Sequence, residues 1–250
     1  MNFAFTRELE VELNNIDIMF QKSLQPWWED LASLRESLQG DITLQLMPAV
    51  VVLAYQYLDS DEKLSISMGS LFKILYFANL VHNQVKDEEE GQLNNQDLQF
   101  TILIGDYIFG RVLKLLLEIG AVEVLDSLAL MICQINESLV IEYKLGEKQP
   151  EILKSGTASI YATAFLTAAR LKGLSQEAIE LYEQLGFTIG MALELLAAGM
   201  SNQAQRYIEQ SADVIAEFKV AAGITNGRLD KFLQDLRQEP ASVNAAAVSC

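Results

Sequence analysis

The chain has 250 residues, of which 34 are acidic and 18 basic, so its formal net charge is −16. A nucleic-acid groove requires a basic protein surface, so this excess of carboxylates argues against nucleic acid as a partner. Half of the residues are hydrophobic, which is enough for one large core and excludes a largely disordered chain. Two cysteines, Cys133 and Cys250, predict no disulfide framework and favour a cytoplasmic location.

The sequence shows no pattern typical of a targeting segment or of a bilayer span. The first ten residues lack a basic start followed by an apolar run. The longest apolar run, residues 46–54, is about half as long as a bilayer span and contains Pro48. We therefore expect no targeting segment and no transmembrane segment.

Apolar residues recur at intervals of three and four along most of the chain, which predicts an all-α protein. We expect one large helical bundle over residues 1–237 and a disordered tail over residues 238–250. Three segments, residues 71–85, 102–117 and 182–200, are apolar on all faces and are predicted to form its centre. The pattern predicts about ten helices, over residues 5–24, 27–38, 42–58, 64–85, 98–119, 123–143, 151–171, 176–199, 202–222 and 228–236.

The sequence contains few groups that could carry out catalysis near neutral pH. His82 is the only histidine, and the chain has no phosphate-binding loop, dinucleotide fingerprint, CxxC pair or HExxH motif. We interpret His82 and Cys133 as packed core residues. An acidic run could hold Mg²⁺ or be a solvated charge run, and the second interpretation is preferred. The run consists of Asp87, Glu88, Glu89 and Glu90.

Two segments resemble motifs of the trans-prenyl diphosphate synthases. Residues 78–87 read Ala-Asn-Leu-Val-His-Asn-Gln-Val-Lys-Asp, in the frame of that family's leucine-rich helix followed by His-Asp-Asp-x-x-Asp. His82 and Asp87 match this first aspartate motif, whereas Asn83 and Gln84 replace two aspartates. Residues 101–109 resemble the Leu-x-Gly-Asp motif of the same family; they read Thr-Ile-Leu-Ile-Gly-Asp-Tyr-Ile-Phe.

Two further family motifs have lost their charged residues. The family's Gly-Lys-Arg-x-Arg-Pro falls on residues 40–48, which keep Pro48 and contain no basic residue. The second aspartate motif falls on residues 190–201, where no aspartate remains. Its degenerate positions are Glu194, Ala197, Ala198 and Ser201.

The resemblance covers residues 40–218 and implies an isoprenoid-synthase fold. In that family, Mg²⁺ held by carboxylates on two facing helices stabilises the departing pyrophosphate. Because one of six such aspartates remains, we expect no catalytic residue and no cofactor in this chain, with Mg²⁺ in a catalytic partner. The chain resembles the small non-catalytic component, component 1, of two-component heptaprenyl or hexaprenyl diphosphate synthases, which act in quinone side-chain biosynthesis.

Two alternative functions remain open. One is an active prenyltransferase or terpenoid-type enzyme with a displaced metal site at residues 87–90, and the other is a helical protein that binds an isoprenoid chain or another lipid. The segment over residues 97–118 has more large apolar residues than one core-facing stripe uses, so we expect one of its faces to meet another chain. The resemblance implies the same, since the corresponding helix of that family lies at the subunit interface, and we therefore expect Asp106, Phe109 and Leu113 at an interface. The expected partner is a catalytic synthase, in a heterodimer, or a second copy of this chain.

Overall fold

The computed structural model describes residues 4–83, 96–145 and 150–238. These residues contain no strand, which confirms the predicted all-α class. A 3-10 turn, Val122–Val124, lies between the sixth and seventh helices. The eleven α-helices are α1 (Ala4–Glu8), α2 (Glu10–Ser23), α3 (Ala32–Ser37), α4 (Ile42–Tyr57), α5 (Glu62–Asn83), α6 (Gln96–Glu118), α7 (Leu125–Leu145), α8 (Pro150–Lys172), α9 (Gln176–Ala197), α10 (Ser201–Ala222) and α11 (Arg228–Gln238).

Side-chain caps and glycines set several helix ends. Asp41 precedes α4 and accepts a 2.7 Å hydrogen bond from the Leu44 N–H, and Ser175 caps α9 in the same way. Gly223 ends α10 with a φ of 67°, a left-handed conformation that glycine adopts without steric cost. The predicted helix over residues 5–24 is divided into α1 and α2 at Leu9. The single-domain boundary at residue 237 stays a prediction, and the tail lies outside the described residues from residue 239 onward.

The centre of the bundle is formed by α4, α5, α8 and α9. Every residue from 158 to 169 of α8 is buried, and so is every residue from 46 to 55 of α4. The prediction that residues 102–117 are central is wrong, because α6 exposes four large apolar side chains there. These are Ile102, Leu103, Leu113 and Leu117.

Small residues allow α8 and α9 to pack closely, which explains why α8 takes the central position. A Cβ atom added to Gly186 would lie 2.6 Å from the carbonyl oxygen of Tyr161, and one added to Gly190 would lie 2.8 Å from the Tyr161 ring. Both distances are shorter than van der Waals contact, so only glycine fits at these positions. Hydropathy favours large side chains and therefore underestimates a helix whose contacts depend on small ones.

Buried tyrosines join the central helices through hydrogen bonds as well as packing. Tyr55 of α4 donates to the Thr167 hydroxyl of α8 at 2.9 Å, and Tyr182 of α9 donates to the Ala54 carbonyl of α4 at 2.7 Å. Both tyrosines are fully buried. Their hydroxyl groups therefore have the partners that buried polar atoms require.

One helical stretch, Glu62–Val81, has the length and composition of a membrane-spanning segment, and 78% of its most apolar window is buried within the bundle. Such burial is typical of a core helix.

Helix α7 buries only one of its faces. It buries Leu128, Met131 and Ile135 on that face and exposes Cys133 on the other. The interpretation of Cys133 as a core residue is therefore wrong.

Candidate functional site

Five polar residues from the central helices meet where the resemblance expects the diphosphate and metal sites. We call them the polar cluster: Asp41 and Thr43 at the start of α4, Tyr76 on α5, Tyr161 on α8 and Glu194 on α9. Thr43, Tyr76 and Tyr161 are buried, whereas Asp41 and Glu194 are partly exposed. Asp41 and Thr43 belong to the segment that corresponds to the family's cationic motif, and Glu194 belongs to the segment that corresponds to its second aspartate motif. The polar cluster is therefore the place where these two segments meet.

Hydrogen bonds within the polar cluster connect three helices. The Thr43 hydroxyl donates to Oε1 of Glu194, which joins α4 to α9. The Tyr76 hydroxyl donates to Oδ2 of Asp41 at 3.2 Å, which joins α5 to the start of α4. Because the other Asp41 oxygen caps α4, this carboxylate positions both its own helix and Tyr76.

The electrostatic environment of the polar cluster is negative. Burial raises the pKa of Tyr76 and of Tyr161 well above the usual tyrosine value, and the carboxylates of Asp41 and Glu194 raise it further. A hydrogen bond to Thr43 opposes this rise at both phenols. No lysine or arginine of the described ranges is among the charges that shift these two phenols. A diphosphate placed here would face two carboxylates without the cations that normally bind it.

The second aspartate motif has no metal-binding arrangement in the structure. Glu194 accepts the Thr43 hydrogen bond, Ala197 is the last residue of α9, and the exposed Ala198 follows it. Ser201 begins α10. Methyl groups offer no oxygen ligand, and in the described part of the chain no three His, Cys, Asp or Glu residues are grouped to hold a metal ion. These residues therefore do not fit the Mg²⁺ that the resemblance implies.

The first aspartate motif lies at the C-terminal end of α5. His82 and Asn83 are the last two residues of this helix. Asn83 follows Tyr76 by seven residues, so the motif begins about 10 Å along the helix axis from the polar cluster. Gln84, Asp87 and the acidic run through Glu90 lie outside the described residues.

The space beside Tyr76 is too small for an isoprenoid chain. An apolar cavity between α5, α6, α7 and α8 has a volume of about 10 Å³, which is about what one water molecule needs. Larger clefts, of about 580 to 650 Å³, are at the surface between other parts of the bundle. The cavity is lined by Leu75, Tyr76, Asn79, Phe109, Met131, Ile132, Ile135 and Ile160.

The three residues assigned to an interface have two different environments. Asp106 is exposed on α6, and Leu113 is 50% exposed on the same helix. Phe109 is half-buried and lines the small cavity. The structure therefore brings Asp106 and Leu113 to the outer surface, whereas Phe109 packs inward.

Sequence reasoning did not identify the polar cluster as a unit. Asp41 and Thr43 lie within residues 40–48, the segment that corresponds to the family's cationic motif and contains no basic residue. One signal for it was present in the sequence: Asp41 lies in the segment where the family has cations, and alanines stand where its second motif has aspartates. Once these opposite charges are lost from two facing segments, the polar residues that remain there can hydrogen-bond to one another.

Two curated relatives are similar over part of the chain, although no family model matches it. Octaprenyl diphosphate synthase of Escherichia coli (strain K12) is 20% identical over 192 residues, which cover 66% of this chain and 59% of that protein. Geranylfarnesyl diphosphate synthase of Natronomonas pharaonis is 24% identical over 185 residues, which cover 60% of this chain and 54% of that protein. The chain therefore spans less than two thirds of the length of these relatives.

Solved structures are similar over almost the whole chain. Geranyltranstransferase from Thermotoga maritima has a TM-score of 0.71 at 14% identity, covering 94% of this chain and 99% of that one. The geranyl diphosphate synthase small subunit from Antirrhinum majus has a TM-score of 0.69 at 14% identity, covering 94% and 100%. A mint heterotetrameric geranyl pyrophosphate synthase has a TM-score of 0.62 at 14% identity, covering 92% and 99%. These similarities confirm the predicted isoprenoid-synthase fold. The relatives and the structures named here are all prenyl diphosphate synthases or subunits of such enzymes.

Proposed function

We propose that this chain is a non-catalytic subunit of a heteromeric trans-prenyl diphosphate synthase, whose other subunit carries the aspartate motifs and binds Mg²⁺. The observation that carries the proposal is the hydrogen bond between Thr43 and Glu194. It joins the two segments that hold diphosphate and metal in the resembled family, while Ala197 and Ala198 occupy metal-ligand positions. In the described part of the chain, these polar groups thus bind each other rather than a metal ion.

The charge of the site supports the same conclusion. Ionisation of an allylic diphosphate develops negative charge on the leaving group, and cations must stabilise it. Asp41 and Glu194 act on Tyr76 and Tyr161 as negative charges, so they would oppose that development. Catalysis in the complex is therefore assigned to the partner.

The outer face of α6 supports a subunit role. Leu103 and Leu117 are about two-thirds exposed there, and Leu113 is half exposed. Large apolar side chains grouped on one helix face are typical of a surface that another chain covers. The small subunit from Antirrhinum majus and the mint heterotetramer provide examples of this fold in heteromeric enzymes.

We further propose that the enzyme is cytoplasmic and elongates an isoprenoid, as in two-component heptaprenyl or hexaprenyl diphosphate synthases. The combined loss of both aspartate motifs and of the cationic motif is the basis for that choice. Under this proposal, the length of the isoprenoid product is a property of the complete heteromer and is measured on it.

Elongation assays with purified proteins test the proposal. The chain alone, supplied with Mg²⁺, isopentenyl diphosphate and farnesyl diphosphate, should give no longer product. A synthase with both aspartate motifs from the same organism should gain at least about tenfold in activity when this chain is added, which corresponds to about 1.4 kcal/mol of transition-state stabilisation. Elongation by the chain alone, in proportion to its concentration, would overturn the proposal.

The displaced metal site makes a different prediction in the same assay. If the acidic run holds Mg²⁺, the chain alone should be active, and Glu88→Gln or Glu89→Gln should abolish that activity. Glu177→Gln, at an exposed position near the start of α9, is the matched control. Equal activity of all three variants would exclude the displaced site.

A further inference from the structure

A cleft of about 260 Å³ lies between α9 and α10. Its floor is apolar, because Met191 and Leu195, one turn apart on α9, are only 3% and 1% exposed. Its wall is a single stripe of α10, since residues separated by three, four and seven positions share one face of a helix. The residues of this stripe are Gln203, Arg206, Tyr207 and Gln210. The cleft therefore combines an apolar floor with a wall of hydrogen-bond donors.

The charge of this cleft is opposite to that of its surroundings. Arg206 is the one charged residue among those that line it, whereas the three larger clefts each have more acidic than basic lining residues. The wall begins in the first turn of α10, which contains no acidic residue and where the helix dipole favours negative charge. In a chain with a formal net charge of −16, this cleft is therefore suited to an anion.

The polar groups of the wall are available to a ligand. In the described part of the chain, the guanidinium group of Arg206 has no ion pair and the Tyr207 hydroxyl has no hydrogen bond. Oε1 of Gln203 is buried without a hydrogen-bond partner, which is costly for a polar atom. Rotation of this terminal amide exchanges Oε1 with Nε2, which can donate to an acceptor. The wall can thus supply several donors to one anionic group.

We propose that this cleft binds a small organic carboxylate, with the carboxylate on Arg206 and the apolar chain of the ligand on Met191 and Leu195. A guanidinium group matches a carboxylate through two parallel hydrogen bonds. One arginine balances one negative charge, whereas a diphosphate requires several cations, which this lining lacks. Sites for drug-sized ligands measure about 300–1,000 Å³, so this smaller cleft fits an acid with a chain of a few carbons.

The inference goes beyond the proposed function, because the site makes no use of prenyl transfer or of another subunit. Its floor belongs to residues 190–201, the segment that corresponds to the second aspartate motif. No residue of the polar cluster lines it. The carboxylate site is therefore distinct from the polar cluster.

Titration of the full chain with butyrate, followed by isothermal titration calorimetry, tests the site. Ligands of this size bind with dissociation constants on the order of 1 mM, and we expect saturable binding in that range. Arg206→Gln removes the cation and should raise the dissociation constant at least about tenfold. Arg237→Gln, at an exposed position on α11, is the matched control and should bind butyrate as the native chain does. Butylammonium, with the same carbon chain and the opposite charge, should not bind.

A second variant separates a ligand contact from a structural one. Gln203→Leu removes the unpaired buried oxygen, so the unliganded chain should be at least as stable as the native one in urea denaturation. The same variant should raise the dissociation constant for butyrate about threefold or more, because it removes a donor. Gln234→Leu, at an exposed position on α11, is its control and should leave the affinity unchanged.

Three results would overturn the inference. They are the absence of saturable butyrate binding, equal affinity of Arg206→Gln and the native chain, and tighter binding of inorganic phosphate than of butyrate. Circular dichroism of each variant verifies that it is folded before the titration. Because no elongation is measured, failure of this inference leaves the proposed function to be decided separately by its own assay.

Discussion

The hydroxyl of Thr43, in the first turn of α4, donates a hydrogen bond to the carboxylate of Glu194, which is near the C-terminal end of α9. These two residues are separated by 151 positions in the sequence. Their contact joins the two segments that, in the resembled family, carry the cationic motif and the second aspartate motif. The hydrogen bond therefore joins α4 to α9 at this end of the bundle.

Removing this hydrogen bond should destabilise the fold. Thr43→Val keeps the side-chain shape but deprives the Glu194 oxygen of a donor, so we expect the free energy of unfolding to fall by about 1–2 kcal/mol. Urea denaturation measures this loss. Thr225→Val, at an exposed position after α10, is the matched control and should change stability by less than about 0.5 kcal/mol. Equal midpoints for the two variants would show that the Thr43 hydrogen bond contributes nothing.

The fold was largely predictable from the sequence, because helix periodicity is a local property. The spacing of apolar residues placed most helices within a few residues of their observed bounds, as for α4 and α10. The central position of α8 was not predictable in this way, because it depends on glycines of α9 that meet Tyr161 only after folding. The polar cluster depends on contacts between distant residues, and a single sequence contains no direct signal for them.

Adding a methyl group between α8 and α9 should be unfavourable. In Gly190→Ala, the new Cβ atom would lie 2.8 Å from the Tyr161 ring and 3.0 Å from Cα of Ala158, which is part of a helix backbone and cannot move alone. We expect a cost of about 1–3 kcal/mol from overpacking. This cost is offset by a gain of about 1 kcal/mol in helix propensity, so the free energy of unfolding should fall by up to about 2 kcal/mol.

The control for that variant is Gly40→Ala. A Cβ atom added at Gly40 has no neighbour within 4 Å, so the midpoint of urea denaturation should hardly change. If Gly190→Ala were as stable as Gly40→Ala, the close approach of α8 and α9 would not be a constraint on this sequence.

Alkaline pH should unfold the protein through its buried tyrosines. Burial raises the pKa of five tyrosines, and at Tyr57 it reaches about 12. Unfolded tyrosines lose their protons near pH 10, so above this pH the unfolded chain binds fewer protons than the native one and stability falls. Each group can remove up to about 1.4 kcal/mol per pH unit in this window. The five are Tyr55, Tyr57, Tyr76, Tyr161 and Tyr182.

Denaturation midpoints measured from pH 9 to pH 12, together with phenolate absorbance, check this prediction. Stability should be flat below the unfolded pKa of about 10 and should fall steeply above it, with phenolate appearing as the chain unfolds. Tyr55→Phe removes one titrating group and should reduce the slope. Complete phenolate formation in a chain that is still folded would contradict the prediction.

Two aspartate substitutions on α6 should separate the interface from the core. Leu113 is 50% exposed, so Leu113→Asp should leave the stability of the isolated chain within about 0.5 kcal/mol of the native value. The same substitution should weaken association with another subunit at this face, because the new charge would be buried at the interface. Phe109 packs against the core and lines the small cavity. Phe109→Asp should therefore lower the free energy of unfolding by at least about 3 kcal/mol.

Circular dichroism during urea denaturation measures the free energy of unfolding, and light scattering measures the association of the chain. The expected pattern is a folded but dissociated Leu113→Asp chain and a poorly folded Phe109→Asp chain. Val220→Asp is the surface control, since Val220 is 86% exposed on α10, and it should change neither quantity. If Leu113→Asp remained as associated as the native chain, the outer face of α6 would not be the contact surface, since a charge at this position could not be accommodated in a closely packed interface.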